Sequence, residues 1–204
     1  MSICEMCKEC GMRFERQYKP EDYIEGDPKS PIWIIGINPS NDTNWLDNRS
    51  AEELKKYFLK KDDIHSYFKD FAKVSYPLFE RLGTLGGVAH TDVVKCSSRS
   101  FPPAGVKGKK AEHIVNNCSQ FMVRQIKQHK PRLLICNGAK VSEYILDLLP
   151  PNLKTQNKQT NYWSELDGAP IRIVLSGFIG RIDDYSKRRL GLEIEEILTE
   201  MKMF

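Results

Sequence analysis

Short continuous runs of apolar residues alternate along this chain with longer segments in which apolar and polar positions are mixed. The clearest run, Ile32 to Ile37, is rich in β-branched residues, which is typical of a strand buried on both faces of a parallel sheet. Similar runs predict further strands at Val88 to Cys96, Arg132 to Asn137, Tyr162 to Leu166 and Ile171 to Leu175.

Segments with a helical spacing of apolar residues lie between these runs. Ser50, followed three residues later by Glu53, has the pattern of a capping box and predicts the start of a helix. The predicted helices cover residues 50–73 (in one or two pieces), 110–129, 139–149 and 186–204. Strands that alternate with helices favour a three-layer α/β/α fold around a central, mainly parallel sheet of about four strands.

Length and composition agree with one compact domain. The 204 residues, of which 40 % are hydrophobic and 28 % charged, predict a single domain over 1–204, with the cysteine-bearing segment 1–30 packed on it. The sequence has no run of about 20 apolar residues that would suit a membrane span, and its amino terminus has no apolar core of a secretory signal. We therefore expect a cytoplasmic monomer with no membrane association.

In a parallel sheet, binding and reacting residues lie in the loops that leave the carboxyl ends of the strands. Three such loops are predicted: Asn38 to Asp42, Cys96 to Lys110 and Ser176 to Arg189. The formal net charge is only +4, but cations collect in the last two loops and can hold phosphates, the alternative being a solvated surface. The predicted DNA-contacting cations are Lys107, Lys109, Lys110, Arg181, Lys187, Arg188 and Arg189.

Several common enzyme signatures are missing from the sequence. It has neither a dinucleotide-binding G-x-G-x-x-G pattern nor a P-loop. It also has no H-E-x-x-H and no G-x-S-x-G, so metalloprotease and α/β-hydrolase interpretations lose their usual support.

Six short motifs follow one another in a distinctive order. They are Cys7-Lys8-Glu9-Cys10, Gly36-Ile37-Asn38-Pro39-Ser40, Val93-Val94-Lys95-Cys96, Phe101-Pro102-Pro103, Cys118, and Lys130-Pro131 leading to Gly138-Ala139. This series resembles the uracil-DNA glycosylase superfamily, closest to its iron-sulfur (family 4-like) branch. The resemblance spans residues 7 to 149 and implies both that fold and a DNA glycosylase function.

The resemblance also implies a metal cluster. The cysteines that match the ligand positions of the branch are Cys7, Cys10, Cys96 and Cys118. Four soft thiolates suit a [4Fe-4S] cluster, which would tie the amino terminus to the loop that approaches DNA. Zinc is one alternative, because a C-x-x-C pair also fits zinc sites, and the absence of any metal is another. Cys4 leaves the identity of the first pair open, and Cys136 is expected to be a buried core residue.

The first strand ends in the predicted catalytic residue. Hydrolysis of an N-glycosidic bond requires a water aimed at the sugar carbon and a nucleotide extracted from the helix. The iron-sulfur branch has an acidic residue where this chain has Asn38, whereas G-I-N-P is similar to the mismatch-specific uracil/thymine glycosylases, in which the asparagine orients the water. The predicted role of Asn38 is to position water, since an amide takes no proton at neutral pH. A purely structural Asn-Pro turn is the alternative.

A later H-P-S motif of the superfamily supplies a histidine near the leaving base. The matching stretch here, Val174 to Arg181, has no histidine, which leaves the extent of catalysis open. Phe178 and Ile179 are candidate wedges that fill the gap left by a flipped base. The four histidines of the chain lie elsewhere and are expected to be structural: His65, His90, His113 and His129.

Asp92 stands where the iron-sulfur branch has an asparagine that reads the uracil edge. An amide both donates and accepts hydrogen bonds, whereas an ionised carboxylate only accepts. Either burial protonates Asp92, or the preferred base presents an amino group, as cytosine and adenine do; an aspartate without substrate contact is the third interpretation. The other predicted substrate-binding residues are Gly36, Ile37, Ser40, Ser176 and Trp45, the last as the stacking aromatic.

Together these features predict a DNA glycosylase, a hydrolase of base-excision repair that acts on flipped uracil or a related deaminated or modified base in single- or double-stranded DNA. A catalytically reduced nucleic-acid-binding member of the same fold, with a structural metal cluster, is the second interpretation. An unrelated enzyme on a similar sheet, such as a small-nucleoside hydrolase, is the third.

Overall fold

The computed structural model describes residues 18–39, 50–152 and 159–203. Its strands are β1 (Ile32–Gly36), β2 (Val88–Asp92), β3 (Leu133–Asn137), β4 (Asn161–Leu166) and β5 (Ala169–Ser176). They form one sheet in the order β2-β1-β3-β5-β4. All neighbouring strands are parallel except β4, which pairs antiparallel with β5.

Helices connect these strands. The α-helices are α1 (Ala51–Lys55), α2 (Ser66–Lys69), α3 (Phe71–Val74), α4 (Tyr76–Glu80), α5 (Lys109–His129), α6 (Ala139–Leu148) and α7 (Asp184–Glu200). Short 3-10 turns occur at Pro20–Asp22, Tyr57–Leu59 and Lys61–Asp63. None of the described helices is long and apolar enough to cross a membrane.

Two hydrophobic clusters bury the two faces of the sheet. On one face, Trp33 and Ile35 of β1 pack in a cluster with apolar residues of α5 and α6. On the other face, Ile32 and Ile34 share a cluster with the aromatic residues of 57–71 and with α7. This alternation along β1 produces helix, sheet and helix layers, which confirms the predicted fold class. The sheet has five strands among the described residues, one more than about four, because the antiparallel β4 extends it at one edge.

Two predicted elements are shorter than expected. β2 ends at Asp92 and not at Cys96, because the amides of Val93 and Val94 donate to the carbonyls of Gly36 and Ile37 and follow the turn after β1. Residues 50–73 form several short pieces in place of one or two helices, although the predicted capping box at Ser50 is confirmed.

Tertiary hydrogen bonds explain the breaks in this region. His65 N donates to the Tyr57 hydroxyl at 2.8 Å. Lys61 Nζ donates to the carbonyls of Phe79 and Leu82 at 2.9 and 2.8 Å. The first bond occupies a backbone amide that the ladder of a continuous helix would use, and the Lys61 bonds tie this segment to the end of α4 and the residues after it. The division of the chain into one domain with a packed segment 1–30 stays a prediction, because 1–17 lie outside the described residues.

Candidate functional site

The carboxyl ends of the parallel strands meet at one edge of the sheet. Gly36 pairs with Asp92 across β1 and β2, and Asn137 pairs with Ser176 across β3 and β5. β1 and β3 are neighbours, so these four ends lie in one row. Ligands of open α/β sheets bind outside such an edge.

Gly36 makes room for two polar side chains of β2. A Cβ atom at this position would lie 2.2 Å from Asp92 Oδ1 and 3.0 Å from His90 Nε2. Residues 90 and 92 point to the same face of their strand, because side chains alternate along a strand. Glycine is therefore the residue that lets a carboxylate and an imidazole lie across the end of β1.

A buried polar cluster surrounds this point. Glu25 Oε2 lies 2.7 Å from His90 Nδ1, and the Tyr67 hydroxyl lies 2.8 Å from His90 Nε2. Asp92 Oδ1 is 3.8 Å from the same Nε2, and Asp92 Oδ2 accepts a hydrogen bond from the Tyr23 hydroxyl at 3.1 Å. Glu25, His90 and Asp92 are each no more than 3 % exposed. We call these five residues the carboxylate-histidine cluster.

Burial and mutual charge shift the protonation of this cluster. Burial alone lowers the pKa of His90, but the charges of Asp92 and Glu25 outweigh it, and the pKa lies above its usual value. Burial raises the pKa of Asp92, and Glu25 adds to this shift, while His90 and Lys95 oppose it. Burial also raises the pKa of Tyr67 well above its usual value, so its hydroxyl stays neutral. His90, Asp92 and Tyr67 therefore hold their protons more firmly than the same side chains do in water.

Asn38 is held by the loop after β2. Its Nδ2 lies 3.0 Å from Ser98 Oγ, 3.1 Å from Ser98 O and 2.9 Å from Pro39 O. The Ser98 hydroxyl donates its own proton to Ser100 O at 2.7 Å, so toward Asn38 it accepts. Three acceptors on one side require the amide nitrogen there, which turns Oδ1 the opposite way.

The loop after β5 presents an aromatic ring at the same edge. Asn137 Oδ1 accepts a hydrogen bond from Ile179 N at 2.9 Å and fixes the course of the loop. Phe178 is 39 % exposed, and its ring lies over Gly180, where a Cβ would come within 2.8 Å of it. The Phe178 ring is 5.9 Å from that of Tyr67, which connects this loop to the carboxylate-histidine cluster.

The loop after β1, the last residue of β2 and the loop after β5 thus carry an oriented amide, a buried acid and an exposed ring to one edge. The profile of the uracil DNA glycosylase superfamily matches residues 23–182, a range that holds all of these loops. The chain belongs to the uracil DNA glycosylase superfamily. No curated protein matches the chain. Membership indicates a DNA glycosylase type of function and implies DNA binding.

In this superfamily member, most of the predicted cations are exposed near the same edge. Helix α5 spans about 30 Å and ends just before β3, so its start lies toward the carboxyl ends of the strands. Helix α7 begins eight residues after β5 ends. Arg181 also lies 5.9 Å from the centre of the Phe178 ring. The exposed cations are Lys107, Lys109, Lys110, Arg181, Arg188 and Arg189.

Lys187 and Ile179 differ from the predictions made for them. Lys187 is only 5 % exposed, and its Nζ lies 3.3 Å from Asp70 Oδ1 and 3.5 Å from Asp184 Oδ1. It pairs α7 with the start of α3 and does not belong to the exposed cations. Ile179 is fully buried in the core, which contradicts a role as a wedge.

The contacts of Ser176, at the end of β5, are with its own protein neighbours. Its hydroxyl lies 2.6 Å from Cys136 O and 2.9 Å from Gly177 O, both acceptors. Its amide donates to Ser142 Oγ at 3.2 Å. These contacts hold the start of the Phe178 loop. Two other predicted substrate-binding residues, Ser40 and Trp45, lie outside the described residues.

Two of the predicted metal ligands lie in one core. Cys96 and Cys118 are 1 % and 2 % exposed and belong to the same hydrophobic cluster. Cys7 and Cys10 lie outside the described residues, and within the part of the chain that is described no three His, Cys, Asp or Glu side chains are arranged so that they could hold a metal ion. Cys136 is fully buried in β3, and burial raises the pKa of its thiol, as expected of a core residue.

Sequence reasoning missed His90, Glu25 and Tyr67. His90 was expected to be structural, yet it is the residue that connects Asp92 to the other two. The available signal was its position two residues before Asp92 on a strand, since residues at i and i+2 share a face. Glu25 and Tyr67 reach the site only through tertiary packing, and no local pattern marks them.

A second buried polar cluster lies on the opposite face of β2. Lys95 is fully buried, and its Nζ donates to Thr91 Oγ1 at 2.8 Å, to Gln125 Oε1 at 2.7 Å and to Asp92 O. Gln125 in turn donates to the carbonyl of Tyr23 at 3.0 Å. Burial lowers the pKa of Lys95 to about 7. We call Lys95, Thr91 and Gln125 the lysine cluster.

Proposed function

We propose that this protein is a DNA glycosylase that hydrolyses the N-glycosidic bond of a flipped uracil or a related deaminated or modified base. The observation that carries the proposal is the meeting of Asn38, Asp92 and Phe178 at one edge of the sheet. Asn38 follows β1, Asp92 ends β2 and Phe178 follows β5. Asn38 donates a hydrogen bond to Ser98 in the loop after β2, and the Phe178 ring contacts that of Tyr67 on α2.

In the proposed mechanism Asn38 directs water. Its Nδ2 is engaged by Ser98 and Pro39, so Oδ1 is the atom that accepts a hydrogen bond from the attacking water. This contact aims a lone pair of the water at the sugar carbon, whose positive character grows as the bond to the base breaks. The base departs with the bonding electrons as an anion. Asn38 takes no proton, so the proton that the attacking water loses passes to solvent or to the departed base anion, and the amide contributes by positioning.

Asp92 is proposed to contact the edge of the extracted base. Its Oδ1 lies over Gly36 at the end of the sheet, beside His90. As a carboxylate it accepts a hydrogen bond from an N–H of the base, and as a protonated acid it donates to a carbonyl. Burial raises the pKa of Asp92, which favours its protonated state more than in an exposed carboxyl group.

Phe178 and the exposed cations are proposed to hold DNA. An exposed ring at the mouth of the site can fill the gap that a flipped nucleotide leaves in the stack. Arg181 lies beside that ring, and Arg188 and Arg189 follow on the first turns of α7, where they can contact phosphates. The exposed lysines at the start of α5 extend this surface on the other side of the site.

Cys96 and Cys118 are proposed to provide two thiolates of a [4Fe-4S] cluster, with Cys7 and Cys10 providing the other two. The burial of Cys96 and Cys118 in one core fits a structural group that anchors the loop after β2. We propose with it that the chain belongs to the iron-sulfur branch and has a G-I-N-P motif like that of the mismatch-specific glycosylases. A cytoplasmic location and a monomeric state stay predictions.

Metal analysis of anaerobically purified protein tests the cluster. We expect a brown protein with a broad absorbance near ~400 nm and about four irons per chain. Cys96→Ala and Cys118→Ala should lose iron and solubility, whereas Cys136→Ala, a matched buried cysteine, should keep its iron. A colourless protein with stoichiometric zinc would overturn the iron-sulfur assignment and leave the zinc alternative.

The function itself is tested by excision from oligonucleotides that carry uracil, hypoxanthine, xanthine and other modified bases. Release of one of these bases with formation of an abasic site supports the proposal. Salt-dependent DNA binding without excision of any base would favour the second interpretation, a catalytically reduced binding protein. Release of bases from free nucleosides without DNA binding would favour a nucleoside hydrolase.

A further inference from the structure

His90 has two different partners on its two ring nitrogens. Nδ1 faces the Glu25 carboxylate at 2.7 Å, so Nδ1 carries a proton. Nε2 faces the Tyr67 hydroxyl at 2.8 Å, a group that either donates or accepts. The direction of this second hydrogen bond therefore depends on whether Nε2 is protonated.

The charges around His90 favour the doubly protonated ring. The groups that face it are Glu25 from the segment before β1, Asp92 on its own strand and Tyr67 on α2; Lys95, on the opposite face of β2, is the fourth group whose charge acts on it. Two are carboxylates, and Lys95 is the one cation among these four. The pKa of His90 is raised despite its burial. With Nε2 protonated, the imidazolium donates to Tyr67, whose own proton is then directed elsewhere.

Tyr67 lies between the buried acid and the exposed wedge. Its ring centre is 6.0 Å from that of His90 and 5.9 Å from that of Phe178. Its side chain is only partly buried, unlike those of His90 and Asp92. A hydroxyl proton that His90 does not accept is therefore available to a base extracted beside Asp92.

We propose that His90 is a positioning residue that turns the Tyr67 hydroxyl toward the extracted base, so that Tyr67 and Asp92 together recognise a lactam, an N–H group beside a C=O group. The inference rests on the proposed function, because it assigns the substrate class of the same site. The Asp92 carboxylate accepts from the lactam N–H, and Tyr67 donates to the adjacent carbonyl oxygen.

This pairing distinguishes uracil and hypoxanthine from cytosine and adenine, the bases whose deamination forms them; thymine and guanine also present a lactam, and this pairing does not exclude them. Uracil, hypoxanthine and xanthine, the products of deamination, all present a lactam. Cytosine and adenine present a ring nitrogen acceptor beside an amino group, the reverse arrangement of donor and acceptor. If His90 were neutral, Tyr67 would donate to Nε2 and present only acceptor character to the base, which suits an amino group.

Equilibrium binding to oligonucleotides that resist cleavage tests this inference apart from catalysis. Uracil, hypoxanthine, cytosine and adenine would each be placed on a 2′-fluoroarabino sugar opposite an abasic site, so that no base pair has to be broken. For the parent protein, we expect uracil and hypoxanthine to bind at least about tenfold more tightly than cytosine and adenine, as one base-edge contact allows.

Two variants then separate positioning from a structural role. Tyr67→Phe keeps the ring but removes the hydroxyl, and should reduce the lactam preference about tenfold without changing affinity for an abasic oligonucleotide. Glu25→Gln keeps an acceptor for Nδ1 but removes the charge that holds the second proton on His90. The lactam preference is present below the pKa of His90 and is lost as the pH rises through it; in Glu25→Gln this loss should occur at a lower pH.

The outcomes distinguish this inference from the proposed function. A lactam preference that is unchanged in Tyr67→Phe, or that responds to pH identically in the parent and Glu25→Gln, would overturn it. If Glu25→Gln does not fold, Tyr67→Phe and the pH dependence of the parent still decide. Selective binding of lactams by a protein that excises no base would support the inference and contradict the proposed hydrolysis. Excision of uracil by a protein that does not bind lactams selectively would support the proposed hydrolysis and contradict the inference.

Discussion

The two faces of β2 carry buried polar clusters of opposite construction. In the lysine cluster, the protonated amine of Lys95, whose pKa burial lowers to about 7, donates to the neutral oxygens of Thr91, Gln125 and the Asp92 carbonyl. In the carboxylate-histidine cluster, two carboxylates share one imidazole and two phenol hydroxyls. The first cluster satisfies its charge with fixed acceptors, whereas the second carries excess acceptor capacity at the end of the sheet.

This difference separates a structural role from a functional one. A buried charge whose hydrogen bonds are all made holds the surrounding elements together, and here Lys95 and Gln125 join β2, α5 and the segment at Tyr23. A buried carboxylate with a movable proton can instead exchange an internal contact for one to a ligand. We therefore expect changes in the lysine cluster to affect stability and changes around Asp92 to affect base choice.

The largest expected effect is a loss of protein stability when the lysine cluster is changed. Lys95→Met should lower the free energy of unfolding by about 3 kcal/mol or more, because each buried acceptor left unpaired costs roughly 1–3 kcal/mol. Lys127 is an exposed lysine on α5 that pairs with Asp167, and Lys127→Met should lower the free energy of unfolding by less than about 1 kcal/mol. Chemical denaturation of both variants gives this comparison. A loss below 1 kcal/mol for Lys95→Met would contradict the structural role.

A functional change of comparable size is expected at Asn38. Asn38→Ala should lower single-turnover excision about 10²-fold or more, since one preorganised polar contact in the transition state is lost. DNA affinity should stay nearly unchanged, and Asn116→Ala, on the exposed side of α5, should behave as the parent. Excision by Asn38→Ala at the parental rate would leave the Asn-Pro turn with a structural role only.

Asp92 should control base choice more than stability. Asp92→Asn restores an amide that both donates and accepts, and removes repulsion with the anionic leaving base. The rate of uracil excision should rise relative to that of cytosine excision by at least about tenfold, because one hydrogen bond to the base edge provides about that much discrimination. The rate ratio should be measured at two pH values, because a protonated Asp92 already donates to uracil. An unchanged ratio at both would place Asp92 outside the base pocket.

The smallest expected effect is on DNA binding, and it distinguishes the exposed Arg188 from the buried Lys187 on α7. Arg188→Gln should weaken DNA binding a few-fold and lower the slope of log affinity against log salt by about 1, as loss of one phosphate contact does. Lys187→Met should destabilise the fold and leave that slope unchanged, because Lys187 is paired with Asp70. A lower salt slope in Lys187→Met would return Lys187 to the DNA-binding surface.

The sequence by itself determined the order of elements, because the buried strands of a parallel sheet are short apolar runs that local patterns reveal. It also determined which loops carry candidate chemistry: the positions of Asn38, Asp92 and Phe178 follow from strand ends and the edge at which they meet. The predicted catalytic and metal-binding roles of single residues stay predictions.

Only the tertiary structure decided which side chains meet. Glu25 reaches His90 across the edge of β2, and Tyr67 reaches it from a helix on one face, contacts between residues 65 and 23 positions apart in the chain. The same packing buried Lys187 against Asp70 while leaving Arg188 exposed, although both belong to one basic run. Burial and long-range partners set the protonation and hydrogen-bond direction of a polar group, and neither property is encoded in its local sequence.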